Sequence, residues 1–280
     1  MPCYSWVRFL KPVLTMNPIH QSAIVLGGVN YSDSSRVVWM LTPDYGRQSF
    51  MVKGARRAKS KYLGSLETFN LVRVIYRKSE RKSLFTLRDV DVENNFSGIR
   101  KSLDAFWAAS QAVELLKAVT HEEHESKALF ELLRGFLSLA DRHGNDSGFL
   151  KDLIVAFRWR LTSILGHEPQ LVECVRCGCR LSRADKYRFM VARGGVLCNE
   201  CGRSPEFTAD QGPSANVVSY QSLRFIYKSS RRFPSSPEEL PELAPGDFEE
   251  VESLSHRYIA YHLGEETLIR KSKPNRTRKG

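Results

Sequence analysis

No run of 18 apolar residues occurs anywhere in the 280-residue chain, so nothing in it is expected to span a membrane as a helix. Also missing is a G-x-x-x-x-G-K-[ST] loop; Lys53-Gly54 has no phosphate-cradling context, and ATP hydrolysis is not expected. No segment repeats at solenoid period. The first fifteen residues contain apolar groups, but Arg8, Lys11 and Pro12 interrupt them and no small-residue cleavage site follows, which argues against a signal peptide. Residues 1–15 show no periodicity; they read as disordered, or as lying upstream of a start at Met16. Cysteine is scarce, six residues in all, and what matters is where four of them fall.

Cys174-Val-Arg-Cys177-Gly and Cys198-Asn-Glu-Cys201-Gly are two matched pairs with twenty residues between them, the spacing of a structural zinc site. Each pair turns two thiolates toward one point, and the glycine after the second cysteine is expected to supply a tight turn whose N–H groups face the sulfurs. Four thiolates close the tetrahedron, so the one expected Zn2+ holds structure and has no open position for chemistry. Cys179 competes with Cys177 only by breaking the repeated C-x-x-C-G pattern, so Cys179 and Cys3 are left as free thiols. Without an export signal, and with cysteines best explained by metal, the expected compartment is the cytoplasm.

The net charge is +11 and the pI about 9.5, which favours a polyanionic partner. Six of those charges lie in the tail from Arg270 to Gly280, leaving +5 elsewhere. More telling is the run Arg47, Lys53, Arg56, Arg57, Lys59 and Lys61, six cations within fifteen residues that include no carboxylate. Against it stand Glu238, Glu239, Glu242, Asp247, Glu249, Glu250 and Glu252, so the chain is charge-segregated in sequence.

Five short strands are expected at Ser22–Gly28, Arg36–Thr42, Gln48–Lys53, Phe69–Tyr76 and Leu84–Val90, with Pro43-Asp-Tyr-Gly stopping the second. An irregular basic segment between the third and fourth completes the pattern of a Greek-key OB barrel, in which nucleic acid lies across one face. Tyr31, Trp39, Tyr45, Phe50, Tyr62 and Tyr76 are its aromatics, most of them expected to be core or structural. From about residue 97 the period becomes 3.6. Three stripes read as helix core: Leu103, Phe106, Trp107, Ser110, Val113 and Leu116; Leu129, Leu132, Leu133, Phe136, Leu137 and Ala140; and Leu150, Leu153, Ile154, Phe157, Leu161, Ile164 and Leu165, stopped by Gly166. Val251, Leu254, Tyr258 and His262 mark a last helix beyond the Pro/Glu-rich stretch 234–245. The expected class is α+β: a disordered extension (1–19), an OB-fold DNA-binding domain (20–95), a helical domain (96–172), an inserted four-cysteine zinc element (173–205), a C-terminal helical part packed on the helical domain (206–266) and a basic disordered tail (267–280).

No catalytic constellation survives inspection. His121-Glu122-Glu123-His124 spaces its histidines three apart where a metalloprotease helix needs four, and both read as solvated residues at a helix connection. The same residues with Cys174 and Cys177 imitate a zinc deaminase, but Glu173 replaces the required proline and a second cysteine pair fills the site.

Tyr31-x-Asp33-x-Ser35-Arg36, Leu41-Thr-Pro-x-x-Gly46 and Val52-Lys-Gly-Ala-Arg-Arg-x-Lys-Ser60 resemble the N-terminal barrel of the bacterial RecO family. Leu129-Phe-Glu-Leu-Leu-Arg, Leu165-Gly-His-Glu-Pro-Gln-Leu leading into Cys174-x-x-Cys177-Gly, and Gly194-Gly195-x-x-Cys198-x-x-Cys201 resemble the same family in the same order, over residues 20–265. The resemblance implies an ATP-independent, non-enzymatic DNA-binding protein of recombinational repair. Such proteins bind single- and double-stranded DNA, anneal complementary strands, and with RecR help load RecA onto DNA coated by single-strand-binding protein, whose acidic C-terminal tail they contact. Lys53, Arg56, Arg57, Lys59 and Lys61 are the expected phosphate contacts, with Arg36 and Arg47 secondary. The alternatives are an RNA- or ribosome-associated zinc-ribbon protein without annealing activity, and a metal-dependent nucleic-acid enzyme.

Overall fold

A computed structural model describes residues 18–77, 84–120, 126–181, 184, 186–204 and 216–264. The expectations for His121 and His124, for the basic tail and for nearly all of the N-terminal extension fall outside those residues; β1 already begins at Ile19.

Five strands, β1 (Ile19–Asn30), β2 (Arg36–Thr42), β3 (Gly46–Val52), β4 (Leu71–Arg77) and β5 (Leu84–Asn94), close a barrel in the order β1-β2-β3-β5-β4. The neighbours are antiparallel except β3 and β5, which run parallel. The length of β1 lets it serve two partners: Ile19 to Ile24 pair with β4, and Ile24 to Asn30 pair with β2 across a register shift between Val25 and Gly27. This is the expected OB-like barrel. Burial alternates along all of β3, so its inward residues Gln48, Phe50 and Val52 follow from the two-residue period of a strand. Phe50, Tyr76 and Phe85 pack ring to ring with centroids 5.0–6.0 Å apart. Inside the same core, Gln21 Nε2 donates to the Tyr76 hydroxyl (2.5 Å) and that hydroxyl donates to Gln48 Oε1 (2.9 Å), which satisfies a phenol that burial pushes well above its ordinary pKa.

The helical body follows: α1 (Leu103–Val119), α2 (Lys127–Arg142) and α3 (Ser147–Ile164). Ser102 caps α1 by accepting from Ala105 N, and Asp146 caps α3 by accepting from Phe149 N. The expected stripe on α2 is buried, and so is that on α3 from Leu150 to Leu161, with Ile164 and Leu165 half-buried at its end. On α1 the expected stripe holds at Val113 and Leu116 and fails before them. The helix's buried face is Ala105, Ala108, Ala109, Ala112, Val113, Leu115 and Leu116, while Leu103, Phe106 and Trp107 are 82%, 47% and 58% exposed. Small alanines let α1 approach its neighbours closely, and that packing overrides the larger hydrophobicity of the residues on the outer side. Ile24, Leu26, Leu41 and Phe69 of the barrel join the α1–α2–α3 core, so barrel and helices share one hydrophobic cluster.

The remainder contains β6 (Lys186–Met190), β7 (Gly195–Leu197), α4 (Asn199–Gly202), β8 (Asn216–Ser219), α5 (Tyr220–Arg231) and α6 (Pro245–Leu263). The three strands, which sequence reading did not resolve, form a sheet in the order β7-β6-β8. The boundary expected at 205 falls within this sheet, because β8 pairs with β6 from beyond it. Trp159 on α3 packs against Phe189 of β6 and Tyr258 of α6, with ring centroids 6.2 and 5.1 Å apart. Arg158, also on α3, is buried with Nη2 donating to Gln111 Oε1 (2.8 Å) and Glu252 3.9 Å away. Burial lowers its pKa to about 10, partly offset by Glu252. Among the described residues no helix is long and apolar enough to cross a membrane.

Candidate nucleic-acid face and metal centre

The two cysteine pairs arrive on different elements. Cys174 and Cys177 sit on a knuckle closed by Cys174 N donating to Cys179 O (2.9 Å) and Gly178 N donating to Cys174 O (2.9 Å); Gly178 turns left-handed there, φ +73°, as only glycine does at little cost. Cys198 follows β7 and caps α4, its Sγ accepting from Cys201 N at 3.5 Å. Gly202, expected to turn in the same way, ends α4 without a positive φ. The knuckles are fastened together by Val175 N to Val196 O (3.0 Å) and Gln170 N to Gly194 O (2.8 Å). A side chain at Gly195 would put its Cβ 2.3 Å from Gln170 O, so that glycine is what permits the backbones to meet.

The result is that the Sγ atoms of Cys174, Cys177, Cys198 and Cys201 all lie within 4.8 Å of one another. A tetrahedral ion with metal–sulfur bonds of about 2.3 Å requires sulfur separations of about 3.8 Å, and Cys177 Sγ and Cys198 Sγ stand 3.8 Å apart. The four thiols therefore fit one metal ion, and Cys179 is outside the set. Burial raises the Cys174 thiol, but N–H groups of Cys177, Cys198 and Arg176 outweigh it and bring it down to about 6. Cys198 is lowered chiefly by the Cys201 N–H. Backbone donors thus favour the thiolate at Cys174 and Cys198, whereas burial, and then hydrogen bonds with the neighbouring cysteines, raise the Cys201 thiol.

The basic run divides once it is folded. Register aligns Asn30 with Arg36 and Arg36 with Val52, so the strand ends at this side of the barrel form one rim, and Lys53 emerges from it. Lys53, Arg56, Arg57 and Lys59 are exposed. Arg56 is anchored through its Nη1 to Ser32 O (3.0 Å) and its backbone N to Ser34 O (3.2 Å). Among the described residues no carboxylate pairs with Lys53, Arg56, Arg57 or Lys59. Lys61 differs, since Asp89 lies 2.8 Å from its Nζ and its ammonium pKa is raised through that hydrogen bond. The fifteen-residue run lacks a carboxylate in sequence, but β5 supplies one in space. Arg36 is half-buried and reaches Leu66 O at 3.5 Å.

Arg47 lies away from that rim. Its Nη1 donates to Lys117 O at 2.7 Å, at the C-terminal turn of α1, and its Nε is buried without a partner. Cations at helix C-termini meet unsatisfied carbonyls and the negative end of the dipole, so the geometry makes Arg47 a joint between barrel and helices. The acidic stretch also finds cations: Glu238, Glu242 and Asp247 line one groove with Arg224 and Lys228 of α5. A second groove, about 340 Å³, runs beside α5 between Leu171, Leu181, Tyr187, Tyr220, Arg224 and Tyr227. The sequence signal for it is the 220/224/227 spacing of one helix face, which the charge and cysteine patterns do not reveal.

Family comparison matches residues 16–96 to the model described as "Recombination protein O N terminal" and residues 100–271 to "Recombination protein O C terminal". The chain belongs to the RecO family. Relatives named "DNA repair protein RecO" include one from Desulfatibacillum aliphaticivorans, 28% identical over 90% of this chain and 94% of its own length. Another from Myxococcus xanthus is 29% identical over 89% and 94% respectively. That from Geobacter sulfurreducens is 33% identical over 67% of this chain and 74% of its own length. The match spans barrel, helices and cysteine unit, so the OB-like barrel and the four-cysteine cluster belong to a RecO-family DNA repair protein.

Proposed function

We propose that this RecO-family protein binds single- and double-stranded DNA along the barrel rim and anneals complementary strands without ATP. In the same reading it acts with RecR to help load RecA onto DNA coated by single-strand-binding protein, whose acidic tail it contacts, and it does so in the cytoplasm. The observation that carries the proposal is the exposed set Lys53, Arg56, Arg57 and Lys59 on one rim, none of them paired with a carboxylate among the described residues. Unpaired cations held close together repel one another, and phosphates relieve that repulsion while releasing counterions. Contacts to the backbone leave base edges free, and neutralising two strands lowers the barrier to their meeting. Lys61 and Arg36 flank the face, each already holding an intramolecular partner. The ion at Cys174, Cys177, Cys198 and Cys201 is Zn2+ in this reading, closed and structural, as the all-thiolate donor set favours. No residue is assigned to bond-making or bond-breaking.

The test is the double substitution Arg56→Glu/Arg57→Glu. Single-strand affinity and annealing fall at moderate salt with little dependence on sequence, and log affinity against log salt flattens by about 0.7 for each phosphate no longer neutralised. Melting temperature stays close to that of the parent, because exposed charges contribute little to folding. A double variant with parental affinity and parental salt slope places the DNA elsewhere on the molecule.

A further inference from the structure

We infer that Tyr31 is a base-stacking platform at the tip of the β1–β2 turn, giving the barrel rim a preference for single strands over duplex; this rests on the DNA face proposed above. Of the barrel's six candidate aromatics, Phe50 and Tyr76 are buried, and Trp39, Tyr45 and Tyr62 are half-buried. Tyr31 is 69% exposed. An aromatic ring this open contributes little to the core, and it stands where the unpaired cations are.

The backbone holds it there without help from its own ring. Tyr31 N donates to Ser35 O (3.0 Å), and Ser35 N donates to Ser32 Oγ (3.2 Å). The tip is then clamped to the basic segment, since Arg56 reaches Ser32 O with its guanidinium and Ser34 O with its backbone N–H. The Arg56 guanidinium thus ends one residue along the chain from Tyr31, while Val29, 50% exposed, adds apolar surface just before the tip. Asp33 is exposed on the same turn and disfavours a phosphate there, so a base is the part of a nucleotide this tip suits. A single strand offers unstacked base faces to a ring and a backbone to neighbouring cations. In a duplex those faces are occupied, and only the phosphates remain to be read.

The experiment titrates the full chain with a fluorescent single-stranded oligonucleotide and with a duplex of the same length, across a salt series, for Tyr31→Ala and Tyr31→Trp. Tyr31→Ala loses about tenfold in single-strand affinity, within the range for removing one base–aromatic stack. Its salt slope is unchanged, because the cations that neutralise phosphate are all retained, and its duplex affinity stays within about twofold of the parent's. Tyr31→Trp keeps single-strand affinity at or above the parental level. Parental single-strand affinity in Tyr31→Ala overturns the inference, and so does an equal loss on duplex. Running Arg56→Glu/Arg57→Glu in parallel separates the two claims. If that pair weakens binding and Tyr31→Ala does not, stacking alone is wrong. If neither variant weakens binding, the DNA face itself is misplaced.

Discussion

Arg47 offers the sharpest separation between a cation that binds DNA and one that holds the molecule together. Arg47→Ala removes a 2.7 Å charge-assisted hydrogen bond to Lys117 O and leaves a half-buried carbonyl at the α1 C-terminus facing a gap. A hydrogen bond to a charged group contributes about 1.5–3 kcal/mol net. Placement at a helix C-terminus adds to this, whereas the buried, unpartnered Arg47 Nε costs stability that alanine recovers. A net loss of about 1.5 kcal/mol is therefore expected. For a chain of this size that lowers the melting temperature by about 3–6 °C, at roughly 2–4 °C per kcal/mol. Thermal unfolding followed by circular dichroism measures the shift, and single-strand titration at 20 °C, where the variant is folded, measures binding. The variant melts earlier and binds as the parent does, the reverse of the outcome for Arg56→Glu/Arg57→Glu. An unchanged melting temperature together with weakened binding would refute the assignment and return Arg47 to the DNA face.

Two further outcomes bear on the metal and on pH. Cys201→Ser removes a thiolate from the cluster and should release about one zinc ion per chain while destabilising the cysteine unit; full zinc occupancy in that variant, measured by elemental analysis with Cys179→Ser as the unaffected control, ends the four-ligand assignment. The Asp152 carboxyl is pushed up to about 6 by burial and then by Asp146. Its folded pKa exceeds the unfolded value, so the stability it contributes is full below about pH 4 and is lost as pH rises through 6. Asp152→Asn should match the parent near pH 4 and exceed it by about 1–2 kcal/mol above pH 7, and denaturant midpoints at the two pH values that move in parallel would contradict this.

What the sequence made legible was whatever a single period carries. β3 alternates without exception, α2 keeps its large apolar residues on one side, and the cysteine pairs announce their convergence through spacing alone. Legibility failed where two faces of one element are both apolar. On α1 the alanines are buried and Leu103, Phe106 and Trp107 are open, because close approach of helices depends on side-chain size as well as hydrophobicity. It failed also for strands too short to show a period: β7 has three residues and β8 four, and only their pairing with β6 makes them strands. Charge misleads for a related reason. Asp89 stands 28 residues from Lys61 and yet touches it, and Arg47 lies in the same run as Arg56 while pointing at another element. A count of local charges cannot register partners that tertiary folding brings.

The double allegiance of α3 bears on how such proteins can change over generations. Leu153, Phe157 and Leu161 look toward the barrel and the first two helices, while Val155, Ala156 and Trp159 look toward β6, α5 and α6. The cysteine unit is therefore a poor candidate for exchange by recombination between genes. A crossover placed after α3 would deliver Phe189 and Tyr258 to a foreign Trp159, and one placed before α3 would deliver Phe157 to a foreign Phe136, its ring neighbour at 5.1 Å. In an interior packed to the density of a crystal, either graft must repair a core it did not inherit. Relatives are then expected to drift on both sides of α3 in concert, the helix acting as the hinge of a shared ancestry.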